Sequence, residues 1–284
     1  MNKLFDINYI KSLLARYGFN FSKGLGQNFI VDGSICPRMA EESVVNDNIG
    51  VIEIGPGIGV LTRELAKRAK KVISIEIDNR LLTILDETMK EFSNVKIING
   101  DFLNIDVASL LKEEFEGMDV SICANLPYYI TSPIIMKILE SKLDIKSIVA
   151  MVQKEAADRL CAKPGSRECG AVSVAVRYYS NPEILFNVPR TSFIPQPEVD
   201  SSVIKLNIHK DNILPDKIEK TLFHIVKSSF SQRRKTIINS LNGTCGKSKI
   251  EIERICELLN INPKSRAENL TLENFIKLTK HMVN

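Results

Sequence analysis

From residue 48 onward, short runs of β-branched apolar residues alternate with stretches whose apolar positions recur every three or four residues among charges. The runs fall at 51–54, 72–77, 95–98, 120–124 and 148–152. Their spacing of roughly 20 residues is the rhythm of βαβ crossovers building a mainly parallel sheet. Between them, 60–68, 80–92 and 132–141 read as helices, with Leu81, Leu82, Ile84 and Leu85 set among charges. A helix is predicted at 153–161 and a breaker at 163–166; 171–179 fits either period and is read as helix. Two closing strands follow at 183–188 and 201–208, joined by a loop at 189–197 whose prolines cannot donate to a ladder. From residue 215 the pattern is helical only, with Leu222, Ile225 and Val226 on one face, then 250–259 and 272–281. The expectation is an α/β domain at 1–209 and a small all-helical domain at 210–284.

Composition narrows this picture. At 284 residues, 44% hydrophobic and 25% charged, the chain is neither a disordered polymer, a collagen-like repeat nor a coiled-coil rod. No apolar run approaches membrane-spanning length. Lys3, Asp6, Lys11 and Arg16 interrupt the apolar residues of the first segment, so a signal peptide is not expected and a cytoplasmic location is. The six cysteines form no C-x-x-C pair, and His209, His224 and His281 lie near none of them at ligand spacing; reduced thiols and no metal site are expected. The net charge of +4 is unevenly spread. Residues 1–209 hold 24 Lys and Arg against 26 Asp and Glu, whereas 210–284 hold 14 against 8. A basic segment on a nearly neutral one suits a polyanion such as nucleic acid, although a solvated lysine-rich helix face has the same composition.

Candidate chemistry gathers at the ends of the predicted strands. Glu53-Ile54-Gly55-Pro56-Gly57-Ile58-Gly59 lies between a strand and a helix, where a glycine turn lets the backbone approach a nucleotide. The dinucleotide fingerprint needs glycine at 60, and Val60 stands there, which tilts the reading from a pyrophosphate ligand to an adenosyl one. Glu76 ends the next strand, placed to accept hydrogen bonds from both hydroxyls of a ribose. Asp101, after the third strand, offers an acceptor for an adenine amine beside the apolar ring of Phe102; alone it reads equally as a helix cap.

Asn125-Leu126-Pro127-Tyr128 at the fourth strand end is the most specific signal. An exocyclic base amine is a poor nucleophile because its lone pair is delocalised into the ring. The Asn125 side-chain oxygen and the Pro127 carbonyl are acceptors that would hold its two hydrogens and favour the pyramidal geometry of the transition state. Tyr128 would stack on the base, and Pro127 restricts the turn.

With Lys23-Gly24-Leu25-Gly26-Gln27-Asn28-Phe29, Leu61-Thr62, Ile75-Glu76-Ile77-Asp78, Gly100-Asp101-Phe102 and Phe193-x-Pro195-x-Pro197-x-Val199-Asp200-Ser201, these motifs resemble the ribosomal RNA adenine dimethyltransferase family over nearly the whole chain. The resemblance implies a Rossmann-like class I methyltransferase sheet with helices on both faces. It implies S-adenosylmethionine held by Asn28, Ile30, Gly55, Gly57, Glu76 and Asp101, with Asn125 between cofactor and target base. Phe193 is similar to the aromatic that closes the other face of a flipped adenine, opposite Tyr128; extraction is expected because a methyl donor cannot reach N6 within a duplex.

Residues 153–160, Lys163-Pro164-Gly165-Ser166 and Phe230-Ser231-Gln232-Arg233-Arg234-Lys235-Thr236 are similar to the branch that dimethylates two adjacent adenosines near the 3′ end of 16S rRNA, in the small subunit or its precursor. Arg233, Arg234 and Lys235 would neutralise RNA phosphates, or solvate a helix start. This branch implies a monomer with neither a membrane nor DNA as partner. A 23S-directed resistance methylase and a non-catalytic assembly factor are the competing readings. Tyr129 departs from the pattern, where a smaller polar residue is expected.

Overall fold

The computed structural model describes residues 3–209 and 214–283. Its elements in chain order are α1 (Ile7–Arg16), β1 (Phe29–Ile30), α2 (Ile35–Ser43), β2 (Ile49–Ile54), α3 (Val60–Ala66), β3 (Lys71–Glu76) and α4 (Leu82–Met89). There follow β4 (Val95–Asn99), α5 (Val107–Glu114), β5 (Asp119–Asn125), α6 (Thr131–Glu140), β6 (Ser147–Gln153), α7 (Lys154–Leu160) and α8 (Ala171–Tyr179). The chain continues through β7 (Ser180–Val188), β8 (Phe193–Ile194), β9 (Ser201–Ile208), α9 (Asp216–Phe230), α10 (Ile237–Leu241), α11 (Lys249–Leu258) and α12 (Leu272–Val283).

Among the described residues, seven strands form one sheet in the order β4-β3-β2-β5-β6-β9-β7. The first five are mutually parallel, and β9 runs antiparallel to β6. β2 is buried at every position and β6 at all but its last, which is why both read as continuous apolar runs rather than alternating ones. The expected α/β architecture with a parallel sheet and terminal helices is present.

The sequence reading passed over α1, α2 and α5. Two of them carry an aspartate at the N-cap: Asp6 accepts from the Tyr9 N–H, and Asp106 from those of Ala108 and Ser109. The loop 189–197 is not wholly irregular, since β8 pairs antiparallel with β1, Phe29 opposite Ile194 and Ile30 opposite Phe193.

The chain divides into two compact units, one of Met1–Ala157 with Glu183–Ile208, the other of Asp158–Pro182 with His209–Asn284. The helical unit therefore takes in 158–182 as well as the C-terminal helices. Packing explains this: the Tyr178 ring meets Phe223 edge-on at 5.3 Å, Tyr179 stacks on it at 5.7 Å, and both hydroxyls donate to the buried Glu219 carboxylate of α9. The boundary expected at 209/210 adjoins 210–213, which lie outside the described residues. Among the described residues no helix is long and apolar enough to cross a membrane.

Candidate active site

Parallel strands deliver their carboxyl ends to one edge of a sheet, so loops far apart in sequence meet there. At that edge a cavity partly open to solvent is lined by Gly55 and Gly57 after β2, Glu76 at the end of β3, and Asn125, Pro127 and Tyr128 after β5. Asn28, Ile30 and Phe193 complete its walls from β1, the segment before it, and β8. Gly57 has φ +61°, and a Cβ there would come within 3.1 Å of the Phe29 ring. Gly59, the N-cap of α3, has φ +89°, and a Cβ would meet the Met89 methyl at 2.5 Å. Only glycine keeps this loop as it is.

Two buried glutamates lie at the loop. Glu76 accepts the Gly57 N–H at 3.1 Å on one oxygen and the Asp78 N–H at 2.8 Å on the other. Burial raises its pKa, and the backbone N–H groups counteract that rise. A carboxylate accepts more hydrogen bonds than these two, so it suits the vicinal hydroxyls of a ligand in the cavity. With the narrow glycine turn beside it, the set fits a nucleoside moiety.

Glu53, 1% exposed, sits on β2 with one oxygen receiving the Thr62 and Ser74 hydroxyls at 2.7 and 2.6 Å. Its other oxygen has no hydrogen-bond partner among the described residues. Burial lifts this carboxyl to about 7, against the hydroxyl hydrogen bonds that lower it. A carboxyl with a raised folded pKa adds stability in full below its unfolded value and loses it as pH climbs to the folded one. Relative to Glu53→Gln, the native chain should therefore lose about 2–3 kcal/mol between about pH 5 and about pH 8. Denaturant titrations across that range check this; parallel stability curves for the two proteins would contradict it.

On the β5 side, Asn125 donates its Nδ2 to the Asn28 carbonyl at 3.3 Å. The Tyr128 and Ser201 hydroxyls are 2.8 Å apart, which fixes the ring at its outer end, and burial raises the Tyr128 pKa. The Pro127 carbonyl accepts from the Ile130 N–H at 3.2 Å and the Thr131 hydroxyl at 3.1 Å, so both its lone pairs are used within the turn that opens α6. The adjacent Leu126 also lines the cavity, and its carbonyl accepts no hydrogen bond among the described residues. Phe193 is buried, whereas Tyr129 is 61% exposed.

Asp101 does not line the cavity. Its carboxylate accepts from the Leu103 N–H at 2.9 Å and the Asn104 amide at 3.0 Å, capping the turn Phe102–Asn104. Several cavity residues stand in the motifs without a role drawn from the sequence, among them Gln27, two residues before Phe29, and Leu126, whose backbone role the proline after it conceals.

Within the helical unit, Arg233 donates to the Arg167 carbonyl at 2.6 Å and the Cys169 carbonyl at 3.4 Å, with the Glu268 carboxylate 3.9 Å away. Arg234 and Lys235 are exposed. Among the described residues, no cluster of three or more His, Cys, Asp or Glu is placed to hold a metal ion.

Residues 18–282 match the family described as ribosomal RNA adenine dimethylase. Proteins named ribosomal RNA small subunit methyltransferase A are similar along almost the full length. That of Bacillus mycoides is 47% identical over 280 residues, 97% of this chain and 96% of the relative. The Bacillus cytotoxicus protein is 48% identical over the same shares. Among solved structures, the 23S rRNA methyltransferase ErmE superposes with a TM-score of 0.72 at 26% identity, covering 90% of this chain and all of its own. A dimethyladenosine transferase from Plasmodium falciparum gives 0.69 at 26% identity, over 85% and 93%.

Proposed function

Because the chain belongs to the ribosomal RNA adenine dimethylase family, we propose that it dimethylates N6 of two adjacent adenosines in the 3′-terminal hairpin of 16S rRNA. Its substrate is the small ribosomal subunit or its precursor, and it works as a cytoplasmic monomer. One observation carries this reading: a single cavity is lined by both the Gly57–Glu76 set suited to a nucleoside and the Asn125–Tyr128–Phe193 set suited to a base. The 47% identity to small-subunit enzymes over nearly the whole chain favours that substrate over 23S rRNA.

S-adenosylmethionine, when bound, supplies an electrophilic methyl group. Glu76 and the glycine loop hold its adenosyl part, with Asn28 and Ile30 as the facing wall; Asp101 serves the adenine amine if its capping carboxylate turns inward. The Asn125 Oδ1 accepts one hydrogen of the target amine. The second acceptor is better assigned to the free Leu126 carbonyl than to that of Pro127, whose lone pairs are occupied. Pro127 instead stiffens the turn. Tyr128 and Phe193 clasp the extruded base from its two faces. The methylated ammonium gives its proton to water, so positioning rather than a general base does the work, and the monomethylated amine is held again for the second round.

The unit of Met1–Ala157 with Glu183–Ile208 transfers the methyl group, and the basic helical domain expected at 210–284, which 158–182 joins, binds RNA, with Arg234 and Lys235 facing phosphates. Arg233 also braces the 165–169 loop through its carbonyls. Replacing both Arg234 and Lys235 by alanine should raise the KM for the subunit and reduce the salt slope of binding by about 2, leaving cofactor affinity unchanged. Filter binding over a salt series checks this; an unaltered slope would remove both residues from the interface.

The function itself is tested with labelled S-adenosylmethionine and unmethylated small subunits, large subunits and naked rRNAs, followed by mapping of the modified nucleotide. Label in the paired adenosines of the 3′ hairpin is expected. Label in 23S rRNA would move the protein to large-subunit chemistry. Cofactor binding without label on any substrate would make it an assembly factor.

A further inference from the structure

One wall of the cavity is built from the segment 25–30, and a side-chain relay ties that wall to the strand end carrying Glu76. Asp78, 5% exposed, lies two residues beyond Glu76. Its Oδ2 accepts the Gln27 Nε2–H at 2.7 Å and an Arg80 Nη2–H at 2.6 Å. Its Oδ1 accepts the Arg80 Nε–H at 2.8 Å and the Arg80 backbone N–H at 3.1 Å. Gln27 passes the connection on, since its Oε1 accepts the Ser22 N–H at 3.0 Å. Arg80 adds a donation to the Asn20 carbonyl at 3.3 Å and lies over the Phe19 ring at 4.9 Å. On its other side the Asp78 backbone N–H holds the Glu76 carboxylate.

We propose that Asp78 and Gln27 are positioning residues for the cofactor: Asp78 fixes the wall that faces S-adenosylmethionine relative to the glutamate that takes its ribose, acting through the Gln27 amide. The inference rests on the reading of the cavity as the S-adenosylmethionine site. The polarity of the relay is set at both ends. The Ser22 backbone N–H can only donate, so Gln27 presents its oxygen there and its nitrogen to Asp78; the partner at 78 must then be an acceptor.

That polarity makes the relay testable by exchange. Asp78→Asn keeps an acceptor for the Arg80 backbone N–H, preserving the local cap, but removes the charge that pairs with Arg80 and turns a donor toward both the Arg80 Nη2 and the Gln27 Nε2, or forces the Gln27 amide to flip against Ser22. Gln27→Glu places a carboxylate against Asp78. Combined, the two restore a donor at 78 facing an acceptor at 27, with a second acceptor for Ser22, and keep one negative charge in the cluster beside the Arg80 guanidinium. The readout is calorimetric binding of S-adenosylhomocysteine, with thermal unfolding in parallel.

Each single variant should bind about tenfold or more weakly, and the double variant should return to within about threefold of the native chain, a recovery unlike that expected of independent sites. A general structural role would instead lower thermal stability in both singles and in the double alike. Affinity within about twofold of native in Asp78→Asn, or a double variant as weak as the two losses combined, would overturn the proposal. A native chain that binds neither S-adenosylmethionine nor S-adenosylhomocysteine would instead refute the reading of the cavity, so the two failures are distinguishable.

Discussion

Asn125→Ala should lower kcat for methyl transfer about 10²–10³-fold while shifting the dissociation constant for S-adenosylhomocysteine by no more than about threefold. The split follows from where the side chain acts. Its oxygen is directed to an amine hydrogen whose geometry changes only as the reaction proceeds, so the interaction strengthens toward the transition state rather than in the bound ground state. Its nitrogen makes one contact to the Asn28 carbonyl, long at 3.3 Å, so truncation disturbs the cofactor wall little. Single-turnover methylation of small subunits at saturating cofactor separates the two effects. An Asn125→Ala chain that turns over at the native rate would sink the role given to this residue.

Glu76→Ala should act on the other half of the cavity, weakening cofactor binding at least about 100-fold. Hydrogen bonds to a charged acceptor are worth about 1.5–3 kcal/mol each, and a ribose offers two. Truncation also strands the N–H groups of Gly57 and Asp78, which now end on this carboxylate. The sign of the pH dependence is fixed as well. Burial raises the Glu76 pKa, and the protonated carboxyl accepts less well from hydroxyls, so affinity for S-adenosylhomocysteine should fall on acidification earlier than an ordinary carboxylate would dictate. Calorimetry over a pH series on native, Glu76→Ala and Glu76→Gln chains checks both claims; a Glu76→Ala chain that binds as tightly as the native one would contradict the first, and the same pH dependence in native and Glu76→Gln chains the second.

The parts of the molecule most legible in the sequence are those governed by local rules. Parallel strands announce themselves by buried β-branched runs, and once they are ordered the glycine loop, Glu76 and Asn125 fall at neighbouring strand ends without further information. Less legible was whatever depends on distant partners. The two-residue strand Phe193–Ile194 has no periodicity of its own and exists because Phe29–Ile30 is there to pair with it. Residues 171–179 satisfied two periods at once, and the Tyr178–Tyr179–Phe223 cluster decides for helix. For the Pro127 carbonyl the sequence gives an acceptor but not its occupancy, which the start of α6 determines. Asp101 shows the same limit from the other side: the residue type fits both a ligand contact and a cap, and the hydrogen bonds it makes within the chain are those of a cap, which leave each oxygen a further lone pair.

The β1–β8 ladder also bears on the order in which the chain becomes competent. Beside it, the Ser192 hydroxyl donates to Asp32 at 3.3 Å, a contact spanning 160 positions. A nascent chain emerging from N to C terminus has already made β2 to β6 before Phe193 leaves the ribosome, and contacts of such long span close late because the loop entropy must be met first. The five parallel strands therefore come before the cavity has its last wall, and recognition of a base is withheld until synthesis has passed Phe193, about two-thirds of the way along the polypeptide.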